Sequence, residues 1–159
     1  MGVRAGLREL LDRVRPGGSN RRRVGLLVDG PNVLRDEFDV DLDDVRAVGL
    51  DSGTLVATRL YLDEHATPGL IQAAEARGYE VVITSGDVDV KLAIDATELV
   101  YTDAIDTLMV VSRDTDFKPV LEKAAKRGIH TVAVAPGTYG RSDALRNAAQ
   151  EAVLLDGDT

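Results

Sequence analysis

The feature that most constrains this chain is a repeated alternation of short apolar runs with longer stretches of helical periodicity. Residues 24–28 (VGLLV), 54–62 (TLVATRLYL), 80–84 (EVVIT), 107–112 (TLMVVS) and 130–135 are of strand length and rich in aliphatic and β-branched side chains. Residues 41–50, 67–77, 90–101 and 115–127 between them read as helices, and Gly78 and Gly128 stop two of these. A last helix is predicted over 142–150 and a short final segment over 152–155. Apolar strands separated by helices of this length form βαβ units, which require a parallel sheet with right-handed crossovers and helices on both faces. The expected fold class is therefore α/β, with about five parallel strands in the order 3-2-1-4-5.

Composition narrows the function. The 159 residues are 44% hydrophobic, enough for one domain with a real core and too many for dominant disorder, despite a net charge of -8. The absence of Cys excludes disulfide scaffolds, Cys-ligated zinc and thiol nucleophiles, and two His leave no basis for a His-rich metal site. No apolar run has membrane-spanning length and no signal peptide opens the chain, so a cytoplasmic protein without a membrane span is expected. The 19 Asp exceed the 8 Glu, and the 15 Arg exceed the 4 Lys. That balance resembles proteins of a high-salt cytoplasm, whose surface carboxylates serve solubility. Position, not mere abundance, must therefore single out a site.

The charge is also uneven. Residues 1–23 carry seven Arg against two acids, a net of +5, while residues 24–159 carry a net of -13. Within the first segment, Val3, Leu7, Leu10, Leu11 and Val14 recur at helical spacing, Pro16, Gly17, Gly18 and Ser19 form a hinge, and Arg21, Arg22 and Arg23 follow. Two readings stand side by side. The segment is a docking arm for RNA, an acidic partner or a membrane surface, or it is a helix that packs on its own domain or on a second copy in a homodimer. The chain thus divides into a basic amphipathic segment, 1–23, and an α/β domain, 24–159.

Parallel sheets bind ligands at the carboxyl ends of their strands, near the point where strand order reverses. Asp29, Gly30, Pro31 and Asn32 follow the first strand; Ser112, Arg113, Asp114, Thr115 and Asp116 follow the fourth. Gly86, Asp87, Val88, Asp89, Val90 and Lys91 follow the third and lead into a helix that carries Asp95. In the expected strand order Asp29, Asp114 and Asp116 converge on one cleft, with Asp89 delivered by the crossing helix. Two ionised carboxylates about 6 Å apart repel by about 3 kcal/mol at an effective dielectric of 20. Four in one cleft require protonation or a cation. Oxygen ligands without Cys or His favour a hard divalent ion, Mg²⁺ or Mn²⁺, which orients and acidifies water and neutralises a phosphodiester. Each acid also has a plainer role. Asp114 and Asp116 are placed to cap a helix, Asp29 to stabilise a turn, Asp89 to serve as an N-cap, and Asp95 to pair with Lys91 across one helical turn.

Taken together, VGLLVDGPNVLR, SGDVDVKLAIDA and VVSRDTDFKPVLEKA, in this order and spacing, resemble the NYN domain of the PIN-like nuclease superfamily, most of all its LabA-like and archaeal members. The resemblance covers residues 24–155. It implies a Rossmann-like sheet and a metal-dependent ribonuclease site in which Asp29 and Asn32 form the first motif, Asp89 the second, and Ser112, Asp114 and Asp116 the third. Arg113 stands where a glycine is frequent. On this reading Asp29, Asp89, Asp114 and Asp116 are catalytic and hold Mg²⁺ or Mn²⁺, while Asn32, Ser112, Lys91 and Arg113 meet the substrate. RNA is the expected partner, single-stranded in preference to duplex, with Lys118, Arg141 and Arg146 as a local basic track and Tyr139 as a stacking platform. A binding or adaptor module with little turnover, and a regulatory domain in which metal only stabilises structure, remain as alternatives. Other chemistries lack their motifs: there is no GxxxxGK[ST], no GxGxxG, and no Ser-His-Asp set involving His65 or His130.

Overall fold

A computed structural model describes residues 21–35, 38–137 and 143–155. The expected helix over 2–15, the hinge after it, and Tyr139 and Arg141 lie outside the described residues. Among the described residues six parallel strands form one sheet in the order β3-β2-β1-β4-β5-β6. The strands are β1 (Arg23–Asp29), β2 (Thr54–Asp63), β3 (Glu80–Thr84), β4 (Thr107–Val111), β5 (His130–Ala135) and β6 (Glu151–Leu154). The helices are α1 (Gly30–Val33), α2 (Leu42–Ser52), α3 (Pro68–Ala76), α4 (Val88–Tyr101), α5 (Lys118–Lys126) and α6 (Asp143–Ala148), with a 3₁₀ turn at Thr115–Phe117.

The central strands explain why the sheet is sandwiched. All five residues of β4 and six of the seven in β1 are buried, so both of their faces must be covered. One face carries Leu27, Tyr61, Leu108 and Val110 under Leu92, Ala96 and Leu99 of α4 and Phe117 and Leu121 of the α5 region. The other carries Leu26, Val28, Leu60 and Met109 with Val45 of α2 and Ala74 of α3. No helix among the described residues is long and apolar enough to cross a membrane.

Three differences from the sequence expectation have local causes. The segment read as a short tail is a sixth strand, pairing Val132 with Glu151 through Ala135 with Leu154. Four residues at a sheet edge carry too little periodicity to reveal that. The helix expected over 115–127 is a 3₁₀ turn followed by α5, because Pro119 lies at the helix start, where a missing N–H costs nothing. Helix α4 begins at Val88, two residues earlier than expected, with Asp87 as its N-cap residue.

The sheet's amino-terminal end is fastened by arginines. The backbone N–H, Nε and Nη2 of Arg23 all donate to the Asp106 carboxylate, at 2.8, 3.1 and 3.1 Å, which holds that carboxyl below its ordinary range. Arg21 donates to the Leu50 and Gly53 carbonyls at 2.6 and 3.0 Å. These guanidiniums lie at the opposite end of β1 from Asp29, about 20 Å away at roughly 3.3 Å per residue. That exceeds a Debye length of about 10 Å at 0.1 M salt, so Arg21 and Arg23 tie the fold together rather than serve the acids.

Candidate active site

Because β1 and β4 are adjacent and in register from Val24–Thr107 to Val28–Val111, the residues just beyond them emerge side by side. Asp29 ends β1, and Ser112 follows β4 by one residue. The Ser112 hydroxyl donates to Asp29 Oδ2 at 3.1 Å and accepts from the Asp114 N–H at 3.0 Å. Asn32 Oδ1 accepts from the Arg113 N–H at 2.9 Å and lies 3.3 Å from Ser112 Oγ. The loops after β1 and β4 are thereby locked to one another by short polar side chains, which rigidifies the ground on which the acids stand.

Gly30 lets α1, which carries Asn32, lie close against β2. A Cβ there would sit 2.5 Å from both the Tyr61 carbonyl oxygen and Leu62 Cδ2. Gly30→Ala must therefore push α1, and Asn32 with it, away from β2. The expected cost is about 1–3 kcal/mol, read as a lower urea midpoint; an unchanged midpoint would show that α1 is not held this closely.

Carboxylate oxygens of Asp89, Asp114 and Asp116 all lie within 4.8 Å of one another. They come from the first turn of α4, the N-cap of the 3₁₀ turn and the turn itself. Asp114 also fills the plainer capping role, since its Oδ1 accepts from the Asp116 N–H at 2.9 Å. One carboxylate thus shapes the turn and presents its remaining lone pairs to its neighbours. Asp89 is not the N-cap of α4; it occupies the first turn, where the helix dipole favours negative charge.

Asp29 lies behind this trio and is only 4% exposed. Burial pushes its carboxyl up to about 6; the Ser112 hydrogen bond offsets part of that rise, and the charges of Asp114 and Asp89 add to it. The sequence reading of four converging acids is thus resolved into three gathered oxygens and a buried fourth acid within electrostatic reach.

Asp95 belongs elsewhere. Six helical residues place it about 240° around α4 from Asp89. Its carboxylate accepts from Tyr61 Oη at 2.8 Å and from Lys91 Nζ at 3.0 Å, with Arg59 at 3.9 Å. Lys91, expected at the substrate, is therefore engaged by Asp95, although its side chain remains 44% exposed. Tyr61 is completely buried and its hydroxyl is pushed up by burial and then by Asp95. Asp95→Ala would strand that hydroxyl without its acceptor. The expected loss of about 1–3 kcal/mol should appear in urea unfolding; a loss below about 0.5 kcal/mol would refute this role, given typical surface effects.

Two further side chains matter here that carried no sequence signal. Tyr61 anchors α4 and so the first turn holding Asp89. The Phe38 ring lies 5.0 Å beneath the Arg113 guanidinium, whose Nε is 3.4 Å from the Asn32 carbonyl oxygen. Phe38 and Arg113 are far apart in the chain, so only the folded protein reveals the stack. The histidines lie outside the acid group: His65 pairs with Glu64 and His130, at the amino end of β5, with Glu151.

A family model for the NYN domain matches residues 23–156. The chain is 45% identical over 133 residues to an uncharacterized protein of Methanocaldococcus jannaschii, covering 84% of this chain and 55% of that protein. It therefore spans about half the length of the curated relative it matches. A crystal structure of a protein of unknown function from Vibrio parahaemolyticus superposes with a TM-score of 0.77 at 22% identity, covering 88% of this chain and 97% of that one. That likeness extends to the fold.

Proposed function

Since this chain belongs to the NYN domain family of the PIN-like nuclease superfamily, we propose that it is a divalent-metal-dependent endoribonuclease hydrolysing RNA phosphodiester bonds. The observation that carries this reading is the gathering of Asp89, Asp114 and Asp116 from two separate stretches of chain, with Asp29 buried behind them. The donor set is all oxygen, with no Cys in the chain and neither histidine in the acid group, which suits Mg²⁺ or Mn²⁺. Asp89, Asp114 and Asp116 would hold the ion, and Asp29 would complete the acidic ring as its proton leaves. Such an ion, when bound, supplies charge neutralisation at the phosphodiester and lowers the pKa of water.

The chain's own residues then have distinct roles. Ser112 orients Asp29 and fixes the backbone at Asp114. Asn32 spends its side-chain carbonyl oxygen on Arg113, and its amide nitrogen has no hydrogen-bond partner among the described residues, so it is placed to donate to a phosphate oxygen or water. Arg113, stacked on Phe38, and Lys91, half-exposed beside Asp95, supply positive charge at the rim for the backbone of a single strand. The LabA-like and archaeal placement, and a high-salt cytoplasm, belong to the same reading; the excess of Asp and Arg over Glu and Lys supports the latter. Residues 1–23, at a net of +5 against an acidic body, are read as the part that meets RNA or a protein partner, a second copy included, with Arg21 and Arg23 fastening it to the sheet and the other arginines left for that partner.

The deciding experiment is a titration of Mn²⁺ and Mg²⁺ against end-labelled single-stranded RNA, with chelator as control. Internal cleavage that appears with the ion and disappears with chelator is expected. Ion-induced thermal stabilisation without cleavage would instead make the domain a binding or regulatory module.

A further inference from the structure

Beside the acids lies a cavity of about 200 Å³ whose wall includes Ser112. Its other walls come from β5, β6 and α6. Register explains its character. Ala133 pairs with Ala152 and Ala135 with Leu154, so these four side chains share the sheet face on which Leu145 of α6 packs. Three of the four are alanines, and α6 has only six residues, so the sheet is left incompletely covered there among the described residues. At the rim stands Arg146, exposed and without an ion pair or hydrogen bond among the described residues.

Position turns the cavity into a site. The strand ends run β1, β4, β5, β6 across the carboxyl edge, so a strand of RNA leaving the acids past Ser112 reaches this cleft next. Ser112 is the shared wall: its hydroxyl is engaged by Asp29 and the Asp114 N–H on one side, and its residue closes the cleft on the other. The volume is below the roughly 300–1,000 Å³ of pockets that take whole drug-sized ligands. It suits one flat ring system and not a dinucleotide. The lining is apolar apart from Ser112 and Arg146, so it recognises a surface to be desolvated more than a hydrogen-bonding edge.

We propose that this cleft receives the nucleobase of the nucleotide adjoining the scissile phosphate, with the Arg146 guanidinium on that nucleotide's phosphate. The inference rests on the nuclease reading above and adds to it a base-dependent positioning element. With one base seated between α6 and the β5–β6 edge, the neighbouring phosphodiester is held over the acids. Selectivity on this basis follows ring size and stacking, without the strict sequence code that hydrogen bonds to base edges would impose.

The test uses the full chain and two independent readouts. In the first, amide NMR spectra are followed while adenosine 5′-monophosphate, uridine 5′-monophosphate or ribose 5-phosphate is added. Shifts at Ala133, Ala135, Ala152 and Leu154 with a nucleotide, and not with ribose 5-phosphate, are expected. Ala152→Phe fills the cleft from the exposed edge strand and should abolish them, while Arg146→Ala, an exposed change that leaves the core alone, should weaken nucleotide binding at least fivefold. In the second, cleavage of single-stranded RNA is compared with cleavage of the same strand carrying an abasic ribose beside the scissile bond. Ala152→Phe should lower kcat/KM at least tenfold on the complete strand and leave the abasic strand unchanged. If the wild-type protein cuts RNA but nucleotides leave the four amides unmoved and Ala152→Phe cuts normally, the cleft proposal fails and the nuclease reading stands. If nucleotides fill the cleft and no divalent ion elicits cleavage, the nuclease reading fails and the base site stands. Equal shifts with ribose 5-phosphate would overturn the assignment to a base.

Discussion

Asp114→Asn and Asp89→Asn are each expected to lower divalent-dependent cleavage of single-stranded RNA by about two to three orders of magnitude, equivalent to roughly 3–4 kcal/mol of transition-state stabilisation. The substitutions are nearly isosteric and remove one negative charge apiece from a trio whose oxygens lie within 4.8 Å of one another. Asp114→Asn is the sharper of the two, because the amide oxygen of Asn still accepts the Asp116 N–H and so keeps the 3₁₀ turn capped. Its melting temperature should stay within about 2 °C of the wild type, which corresponds to less than about 1 kcal/mol for a chain of this size. Activity and stability are thereby separated in a single variant. A higher concentration of Mn²⁺ needed for half-maximal rate in any residual activity would identify the lost charge as an ion ligand. Undiminished cleavage by both variants would refute the assignment of these acids.

Asp29 predicts the opposite stability behaviour. Its carboxyl, pushed up mainly by burial to about 6 from an ordinary 3.8, binds its proton more tightly in the folded protein than in the unfolded chain. A raised carboxyl favours folding fully below about pH 4, and that contribution is lost as pH rises through 6. A displacement of about two pH units corresponds to roughly 3 kcal/mol. In chelator, the wild type should therefore lose up to about 3 kcal/mol between pH 4 and pH 8 from this group. Asp29→Asn keeps an acceptor for Ser112 but cannot ionise, so it should be the more stable protein at pH 8 by a similar amount and by little at pH 4. For a chain of this length that is a rise of about 5–10 °C in melting temperature. A saturating divalent ion should narrow the gap by stabilising the ionised wild type. Urea unfolding of the two proteins across this pH range measures it directly; coincident curves at pH 8 would mean that the carboxyl is not buried as described. A site residue whose removal stabilises the fold is the signature of strain held for function.

The two predictions rest on different kinds of information. That Asp114 and Asp116 follow a buried strand, and that Asp29 follows another, was readable from VVSRDTDF and VGLLVDG, because an apolar run of five in an α/β pattern must be a strand whose carboxyl end faces the ligand side. The separate fate of Asp95 was half readable. Its spacing from Lys91 announced the helical pair, but the buried Tyr61 hydroxyl that makes Asp95 structural lies 34 residues away on β2. Nothing in local spacing encodes such a contact. The short helix at Gly30–Val33 leaves no mark in the sequence for a similar reason: four residues generate no periodicity, and only the closeness of β2 accounts for the glycine.

By itself, then, the sequence determined the layered α/β architecture, the central place of the first and fourth strands, and the acids that follow them. These depend on hydrophobic periodicity and on the chirality of parallel crossovers, both of which are written along the chain. Tertiary structure alone decided that a sixth strand closes one edge, that three carboxylates gather while the fourth sinks behind them, that Arg113 lies on Phe38, and that a cleft opens next to Ser112. Each of these is a relation between residues far apart in the chain, set by which side chains desolvate one another once the sheet has formed. Burial and mutual repulsion are properties of neighbours in space, and neighbours in space are what folding supplies.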